Sequence, residues 1–259
     1  MEKYSIKEFV NNIETEGFCI VENVLSTGFI EKAIKELDIA IKSEVLFHGT
    51  ENYSDYGMVL CCAKYGGVFE EIFNNHLLVE PMEAVLGEGC ILYAYTSSSM
   101  PPKSSNFSNR IHVDSPRFIP NYLTNLGVFI ALSDITHDNG AMYYLPRSHN
   151  EITPPTGDYF YTNAKRCILK PGSVFFFNPR LWHAGGVNNT NEWRHAITMN
   201  ICRPYMKQRL DIPLLLKDTD TSRWSDKAKQ KLGFFSQIPA SYEEYYVSPE
   251  LRKYKQQYE

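Results

Sequence analysis

The spacing of apolar residues changes at about residue 90 and divides the chain into a helical part and a β-rich part. In the first part, apolar residues recur every three or four positions behind a capping box at Ser5 and Glu8 and a cap at Ser26. The run "FCIVENVL" between them predicts an early strand, and a shorter helical region is predicted over about 68–87. The expected core-facing positions of the two helices are Ile6, Phe9, Val10 and Ile13, then Ile30, Ala33, Ile34, Leu37 and Ile41.

Short apolar runs rich in β-branched and aromatic residues follow, separated by Gly, Pro, Asn and Asp. Many short strands with such turn signals are typical of a sandwich, a barrel or a jelly roll. We therefore predict one mostly β domain with flanking helices, made of N-terminal helices and a strand (1–89), a β core (90–204) and a C-terminal wrapping segment (205–259). The runs are "CILYAYTS", "LGVFIALS", "AMYYLP", "KRCILK", "SVFFFN", "LWHAGG" and "WRHAITMNIC".

Composition excludes some partners and compartments. The 259 residues include 26 basic and 30 acidic side chains, and a net charge of −4 disfavours nucleic acid or an anionic membrane as a partner. The start of the chain has no apolar signal core, and no apolar run approaches the roughly 18 residues of a membrane span. Six cysteines without C-x-x-C spacing favour reduced thiols. We therefore expect a soluble, cytoplasmic protein.

Candidate chemistry begins at "NRIHVDSPRF", where His112 and Asp114 are separated by one residue. Residues i and i+2 of a strand point to the same face, so an imidazole nitrogen and a carboxylate oxygen can meet at one point. These two side chains would supply two of the three ligands in a 2-His-1-carboxylate metal site, the geometry typical of non-haem Fe(II). The alternative is a surface strand end at which the two residues are neighbours without a shared role.

The third ligand would be a distal histidine, and four candidates follow. His137 lies in a predicted turn, and His149 forms a competing His-x-Glu pair with Glu151, but in an irregular, Pro-containing segment where the same-face argument does not hold. His183 follows the strongly β run "GSVFFFNPRLW" and precedes a turn, so it lies at a strand end. His195 is the fourth candidate. We favour His183, although singly it could be a core or turn histidine.

The run "RHAITMNIC" indicates where an anion would bind. On this strand Arg194, Thr198 and Asn200 share one face, whereas His195 lies on the other, mostly apolar face and so points away from a metal in the barrel. An arginine that faces the lumen beside small residues suits a barrel that holds an anionic ligand. Taken alone, Arg194 could instead be a surface arginine.

These elements together resemble a known family. The ordered set "HVD" (112–114), "NGAMYYLPRSH" (139–149), "GSVFFFNPRLWHAGGVNNT" (172–190) and Arg194, eleven residues after His183, is similar to the phytanoyl-CoA dioxygenase family of Fe(II)/2-oxoglutarate oxygenases. The opening "EGFCIVENVLS" followed by a helix is also similar. The resemblance covers about residues 6–204.

The resemblance implies a fold, a set of cofactors and a reaction. The fold is a double-stranded β-helix, a cupin-like jelly roll with two facing four-stranded sheets. His112, Asp114 and His183 correspond to the iron ligands, and Arg194 to the residue that binds the C5 carboxylate of 2-oxoglutarate. The implied cofactors are Fe(II) and 2-oxoglutarate, with O₂ as cosubstrate. The implied reaction is hydroxylation of a small-molecule metabolite with formation of succinate and CO₂, without catalytic residues beyond the metal ligands.

Other reactions stay open at this point. Related halogenases have Gly or Ala at the position of Asp114, so its presence favours hydroxylation over halogenation. Desaturation, epoxidation or cyclisation of a natural-product intermediate would use the same cofactors. A cupin-like isomerase or lyase, or a non-catalytic jelly-roll binding module, would not consume 2-oxoglutarate. The oligomeric state is open.

Three further residues are predicted to line the pocket. Arg117, three residues beyond Asp114, would pair with a substrate carboxylate or phosphate. Tyr95, which shares a strand face with Tyr93, and Thr198 would contact the cofactor. The competing interpretations are a surface salt bridge for the arginine and a core position for the tyrosines.

Overall fold

The computed structural model describes residues 5–252, so the predicted domain limits at residues 1 and 259 lie outside the described range. The α-helices are α1 (Ile6–Thr15), α2 (Thr27–His48), α3 (Val68–Glu71), α4 (His76–Leu86), α5 (Gly157–Asn163), α6 (Ile212–Leu215), α7 (Asp226–Leu232) and α8 (Tyr242–Tyr245). The strands are β1 (Phe18–Val21), β2 (Ile91–Ser97), β3 (Asn125–Ala131), β4 (Tyr143–Tyr144), β5 (Lys165–Arg166), β6 (Val174–Phe177), β7 (His183–Ala184) and β8 (Ala196–Cys202). Short 3₁₀ helices cover Cys62–Tyr65, Ile72–Asn74, Phe107–Asn109, Ser148–Asn150 and Pro249–Leu251.

The two predicted N-terminal helices form, but their caps differ. The side chain of Ser26 accepts a hydrogen bond from the Phe29 amide, 3.3 Å away, as the cap position predicts. The predicted capping box at Ser5 is wrong, because this side chain makes no cap hydrogen bond. Gly17, at a φ of +83°, ends the first helix and turns the chain into β1. A side chain at Gly17 would collide with the ring of His149.

The core is an antiparallel jelly roll built from two sheets. The larger sheet has the order β1-β6-β3-β8-β2, and the smaller has the order β5-β4-β7. The expectation of two four-stranded sheets is therefore not met: β1 from the N-terminal part extends the larger sheet, and the strand predicted around His112 is reduced to a single bridge with His183. The ladder stops there because the Asp114 and Ser115 amides both donate to the Pro179 carbonyl, 2.8 and 3.2 Å away.

The phenylalanines of β6 show how the larger sheet separates two cores. Phe176 points toward the helices, where its ring meets that of Phe9 edge-on at 5.1 Å. Phe175 and Phe177 point the other way, into the space between the sheets. Helices thus cover one face of the larger sheet, and the other face is left to form the interior of the jelly roll.

Part of the C-terminal segment packs on this core. Helix α7 lies against β2, and its buried Lys231 donates to Glu83 Oε1 at 2.8 Å. Phe234 is partly buried against the helix-side core, whereas the tyrosines of α8, Tyr242 and Tyr245, are exposed. Among the helices of residues 5–252, none combines the length and the apolar character that crossing a membrane requires.

Candidate functional site

Three side chains converge where the His112–His183 bridge joins the two segments. His112 Nε2 lies 3.4 Å from Asp114 Oδ1, and His183 Nε2 lies 3.6 Å from the same oxygen. One ligand atom from each residue lies within 4.8 Å of the others. The bridge aligns the two imidazoles, whose ring centroids are 4.2 Å apart, and the turn toward Pro179 brings the carboxylate beside them. The geometry is that of an open, three-ligand metal face.

Backbone carbonyls hold both imidazoles in the orientation that a metal requires. His112 Nδ1 lies 2.8 Å from the Arg110 carbonyl oxygen, and His183 Nδ1 lies 2.8 Å from that of Leu181. Because a carbonyl only accepts, each Nδ1 carries a proton, and in the neutral ring each Nε2 presents a lone pair to the shared point. Metal-bound histidines are typically oriented in this way.

The charges of the three candidate ligands also suit a cation. Burial acts to raise the pKa of Asp114, but the nearby His183 and the hydrogen bond from His112 outweigh it, so this pKa lies below its ordinary value. Burial lowers the pKa of His183. Burial also acts to lower the pKa of His112, but the hydrogen bonds to Asp114 and to the Arg110 carbonyl give a net increase. Asp114 is thus ionised and His183 neutral at pH 7, as metal ligands must be.

The competing histidines lie elsewhere. His149 Nε2 lies 3.0 Å from the Glu14 carbonyl oxygen, so the His-x-Glu alternative is not near the triad. On the helix side of β8, His195 Nδ1 is 3.2 Å from Ser99 Oγ, and His195 Nε2 is 3.5 Å from Asp38 Oδ1. His137 is an exposed turn residue. Within the described residues, the triad is the one cluster of three or more His, Cys, Asp or Glu side chains spaced for a metal.

The triad opens into a cavity of about 330 Å³ inside the jelly roll. Arg194, Thr198 and Asn200 line it, as the alternation along the last strand predicts. The rings of Phe129 and Phe177 form part of its wall. The structure therefore brings the metal-ligand candidates and the arginine candidate to one cavity.

Arg194 is the unusual member of this cavity. Its side chain is 1% exposed, and its buried Nε has no hydrogen-bond partner. Within residues 5–252 its guanidinium has no ion pair, and its Cζ lies 5.6 Å from the centroid of the Phe129 ring. Burial lowers the pKa of Arg194 to about 10, so the group stays charged at pH 7. A buried cation without a partner is costly, and a carboxylate from a ligand would relieve that cost.

Tyr95 and Arg117 do not line this cavity, which corrects two predictions. A bulge between Leu92 and Ala94 shifts the alternation of β2, so Tyr93 faces the cavity and Tyr95 is buried among helix-side aromatics. Arg117 lines a different cavity of about 520 Å³, because the chain turns away after Asp114.

Sequence reasoning missed a charged residue of the cavity. Arg209, from the C-terminal segment, lines the cavity, and its amide donates to the Tyr93 carbonyl at 2.9 Å. Its segment has no regular spacing of apolar residues that would place it on an element. The basic character of the stretch after the last strand is the one available signal, and it does not indicate a direction.

Comparison with known proteins identifies the family. The family model described as "Phytanoyl-CoA dioxygenase (PhyH)" matches residues 13–196. The chain belongs to the phytanoyl-CoA dioxygenase family. It is an oxidoreductase of the dioxygenase type, and the family resemblance stated from the sequence is confirmed.

Relatives cover nearly the whole chain. The uncharacterized protein Rv1501 of Mycobacterium tuberculosis is 28% identical over 97% of this chain and 95% of its own length. The dioxygenase aneA of Aspergillus aculeatus is 27% identical over 75% of this chain and 71% of its own length. The solved structure of the epimerase SnoN, in complex with Fe³⁺, α-ketoglutarate and nogalamycin RO, has a TM-score of 0.60 at 18% identity over 86% of this chain and 92% of SnoN. At that identity, the structural likeness shows the shared fold.

Proposed function

We propose that this protein is a non-haem Fe(II)/2-oxoglutarate-dependent dioxygenase that hydroxylates a small-molecule metabolite and forms succinate and CO₂. One observation carries the proposal: the buried guanidinium of Arg194, without a partner among residues 5–252, lines the same cavity as the triad. A metal face and a separate carboxylate receptor in one cavity fit a metal that binds together with a dicarboxylic acid.

His112, Asp114 and His183 would hold the iron. Their ligand atoms converge, the two Nδ1 protons are fixed by carbonyls, and Asp114 is ionised, so the residues fit Fe(II) with the hydrogen bonds of both Nδ1 atoms kept. Three protein ligands leave open positions for other ligands on an octahedral metal. When bound, iron with 2-oxoglutarate and O₂ supplies the oxidising chemistry of the reaction.

The protein residues around the iron orient and shield the reactants. Arg194 would grip the C5 carboxylate of 2-oxoglutarate with paired, charge-assisted hydrogen bonds, and Thr198 lies on the same face of β8. Phe129, whose ring centroid lies 5.6 Å from Arg194, covers this part of the cavity with apolar surface. Asp114 occupies the position that halogenases of the resembled kind leave free, which supports oxygenation over halogen transfer.

An anaerobic titration tests the proposal. Fe(II) and 2-oxoglutarate added together should produce a weak visible charge-transfer band, and its absence with iron demonstrably bound would overturn the assignment. A metabolite library screened for substrate-stimulated succinate formation then identifies a substrate. Mass spectrometry of the product separates hydroxylation from desaturation, epoxidation or cyclisation, and a halogen isotope pattern in excess chloride would contradict the role given to Asp114.

A further inference from the structure

A second arginine lies at the end of the cavity away from Arg194. The two ends are separated along β8, because the segment from Arg194 to Asn200 advances six residues, about 20 Å in an extended strand. Asn200 pairs with Ala94, next to the bulge at Tyr93, and the Tyr93 carbonyl accepts the amide of Arg209. A five-carbon diacid held at Arg194 is too short to reach this end.

The backbone that carries Arg209 is held in place. Gln208 Nε2 donates to the Leu92 carbonyl at 2.8 Å and to the Leu232 carbonyl at 3.3 Å, which ties the segment to β2 and to the end of α7. The guanidinium of Arg209 has no hydrogen bond or ion pair with any described residue. Because Arg209 is exposed, this freedom does not by itself indicate a ligand, and the neighbouring wall and the charge of the cavity decide the matter.

The wall beside Arg209 presents a second donor. Thr124 Oγ1 donates to Asn125 Oδ1, so Asn125 turns its Nδ2 toward Asn200 and donates to Asn200 Oδ1 at 3.0 Å. That bond uses the amide oxygen of Asn200 and leaves its NH₂ group without a partner among the residues of the described range. Asn200 therefore offers N–H donors to the cavity, and a ligand there must accept hydrogen bonds.

The charge of the loaded cavity points to an anion. Among the described residues that line it, Asp114 is the one acidic side chain. When Fe(II) and the 2-oxoglutarate dianion are bound, the three carboxylates of Asp114 and 2-oxoglutarate balance the iron and Arg194. The positive charge of Arg209 then has no counterpart in the cavity.

We infer that the substrate is a small organic anion whose carboxylate, or another oxyanion, binds Arg209 and the NH₂ group of Asn200. The inference rests on the proposed function. A cavity of about 330 Å³ is at the low end of the range for ligand sites, so the body of the acid is small. Apolar side chains such as Met58 and Phe177 line the space for that body. Arg209 thus takes the role that Arg117 was predicted to have.

Matched pairs of small carboxylic acids and their primary amides test this inference. Protein loaded anaerobically with Fe(II) and 2-oxoglutarate first has to show the charge-transfer band, which tests the proposed function separately. Each probe is then titrated, and its Kd is read from the shift of that band. At least one acid should bind 10-fold or more tightly than its amide. An acid that abolishes the band has displaced 2-oxoglutarate and does not count as binding at Arg209.

Variants then locate the anion. Arg209→Gln should weaken binding of that acid about 10- to 100-fold, the range for loss of a charge-assisted hydrogen bond, and leave its amide unchanged. Asn200→Asp keeps the oxygen that Asn125 contacts but replaces the free NH₂ group by a carboxylate oxygen, so it should also weaken the acid. Lys207→Gln, an exposed cation two residues away that does not line the cavity, is the control and should change neither Kd.

The two hypotheses fail in different ways. A missing band with iron bound contradicts the proposed function. A normal band together with a panel in which no acid binds better than its amide overturns the substrate class alone. An unchanged acid Kd in Arg209→Gln, with the band intact, overturns the role of Arg209.

Discussion

Arg194 and Arg180 are both buried arginines, exposed by 1% and 8%, and each lines a cavity. Arg180 is fully engaged: its Nε, Nη1 and Nη2 donate at 3.0, 2.8 and 2.8 Å to three backbone carbonyls, those of His149, Pro116 and Glu151. Arg194 has no such partner within residues 5–252. Burial lowers the pKa of both, so burial alone does not distinguish them.

The difference between the two arginines indicates that unsatisfied hydrogen bonds mark a ligand site better than burial does. The cavity at Arg180 is the larger one, about 520 Å³ against 330 Å³, and it also contains Arg117 and Arg203. Volume and positive charge would therefore select the cavity at Arg180, although the metal-ligand candidates line the smaller cavity at Arg194. The hydrogen bonds of Arg180 hold loops together, whereas under the proposed function those that Arg194 lacks would come from the ligand. The histidines follow the same division, since His149 lines the cavity of Arg180 and His183 that of Arg194.

Replacing one histidine in each cavity gives the largest expected contrast. His183→Ala removes one of three metal ligands and should weaken Fe(II) binding by more than about 100-fold, since loss of even an outer partner of a metal ligand costs 10- to 100-fold. His112→Ala and Asp114→Ala should behave alike. His149→Ala should bind iron like wild type. Anaerobic Fe(II) titration measures all four. Loss of iron in His149→Ala with retention in His183→Ala would transfer the metal site to the His149–Glu151 pair.

Methionine in place of each arginine should change stability in opposite directions. Arg180→Met leaves three carbonyls without a donor, of which that of His149 is buried and those of Pro116 and Glu151 are partly buried, and should lower the free energy of unfolding by about 2–3 kcal/mol. Arg194→Met removes a buried charge that has no partner. It should raise the free energy of unfolding of the ligand-free protein by about 1 kcal/mol. Urea unfolding of metal-free protein measures both. Destabilisation by Arg194→Met would mean that this guanidinium has protein partners.

Lysine in place of each arginine separates ligand binding from structure. Arg194→Lys keeps the charge but loses the planar, paired donors, so the Kd for 2-oxoglutarate should rise about 10- to 100-fold, while iron binding stays unchanged. Arg180→Lys should leave this Kd at the wild-type value. Titration of 2-oxoglutarate into the iron-loaded, anaerobic proteins gives both constants. Equal constants for Arg194→Lys and wild type would remove Arg194 from the 2-oxoglutarate site.

Features set by local sequence were predictable. Each of the seven apolar runs after residue 90 contains a strand, because alternation and turn residues act over a few positions. The His112–Asp114 spacing and the strand-end position of His183 were also visible locally. The same holds for the shared face of Arg194 and Thr198. The jelly-roll topology itself came from the family resemblance and not from the spacing.

Features set by distant contacts were not predictable. The bulge at Tyr93 changes which side chains of β2 face the cavity, and a single extra residue leaves no mark in the sequence. Arg117 is close to Asp114 in sequence, but the carbonyl of Pro179, sixty-odd residues away, turns the chain between them. Arg209 reaches the cavity through the bonds of Gln208 to two other elements.

The smallest expected effect is a pH dependence that belongs to the cavity of Arg180. Burial lowers the pKa of His149, and the hydrogen bond to the Glu14 carbonyl only partly opposes this, so the native state prefers the neutral ring. The neutral ring of His149 therefore contributes to the free energy of unfolding. This contribution is complete above the ordinary pKa of 6.5 and is lost as the pH falls through the lower pKa of His149 in the folded protein. His149→Gln keeps a donor for the Glu14 carbonyl but cannot titrate, so its free energy of unfolding should fall less than that of wild type between pH 7.5 and 5.5. Each unit between the two pKa values corresponds to about 1.4 kcal/mol.

Urea unfolding of the metal-free proteins at both pH values gives the difference between wild type and His149→Gln, in which the contributions of all other titrating groups cancel. His137→Gln, a change at an exposed turn, is the control and should follow wild type. Parallel decreases in wild type and His149→Gln would show that the ring of His149 accepts a proton in the folded protein as readily as in the unfolded chain.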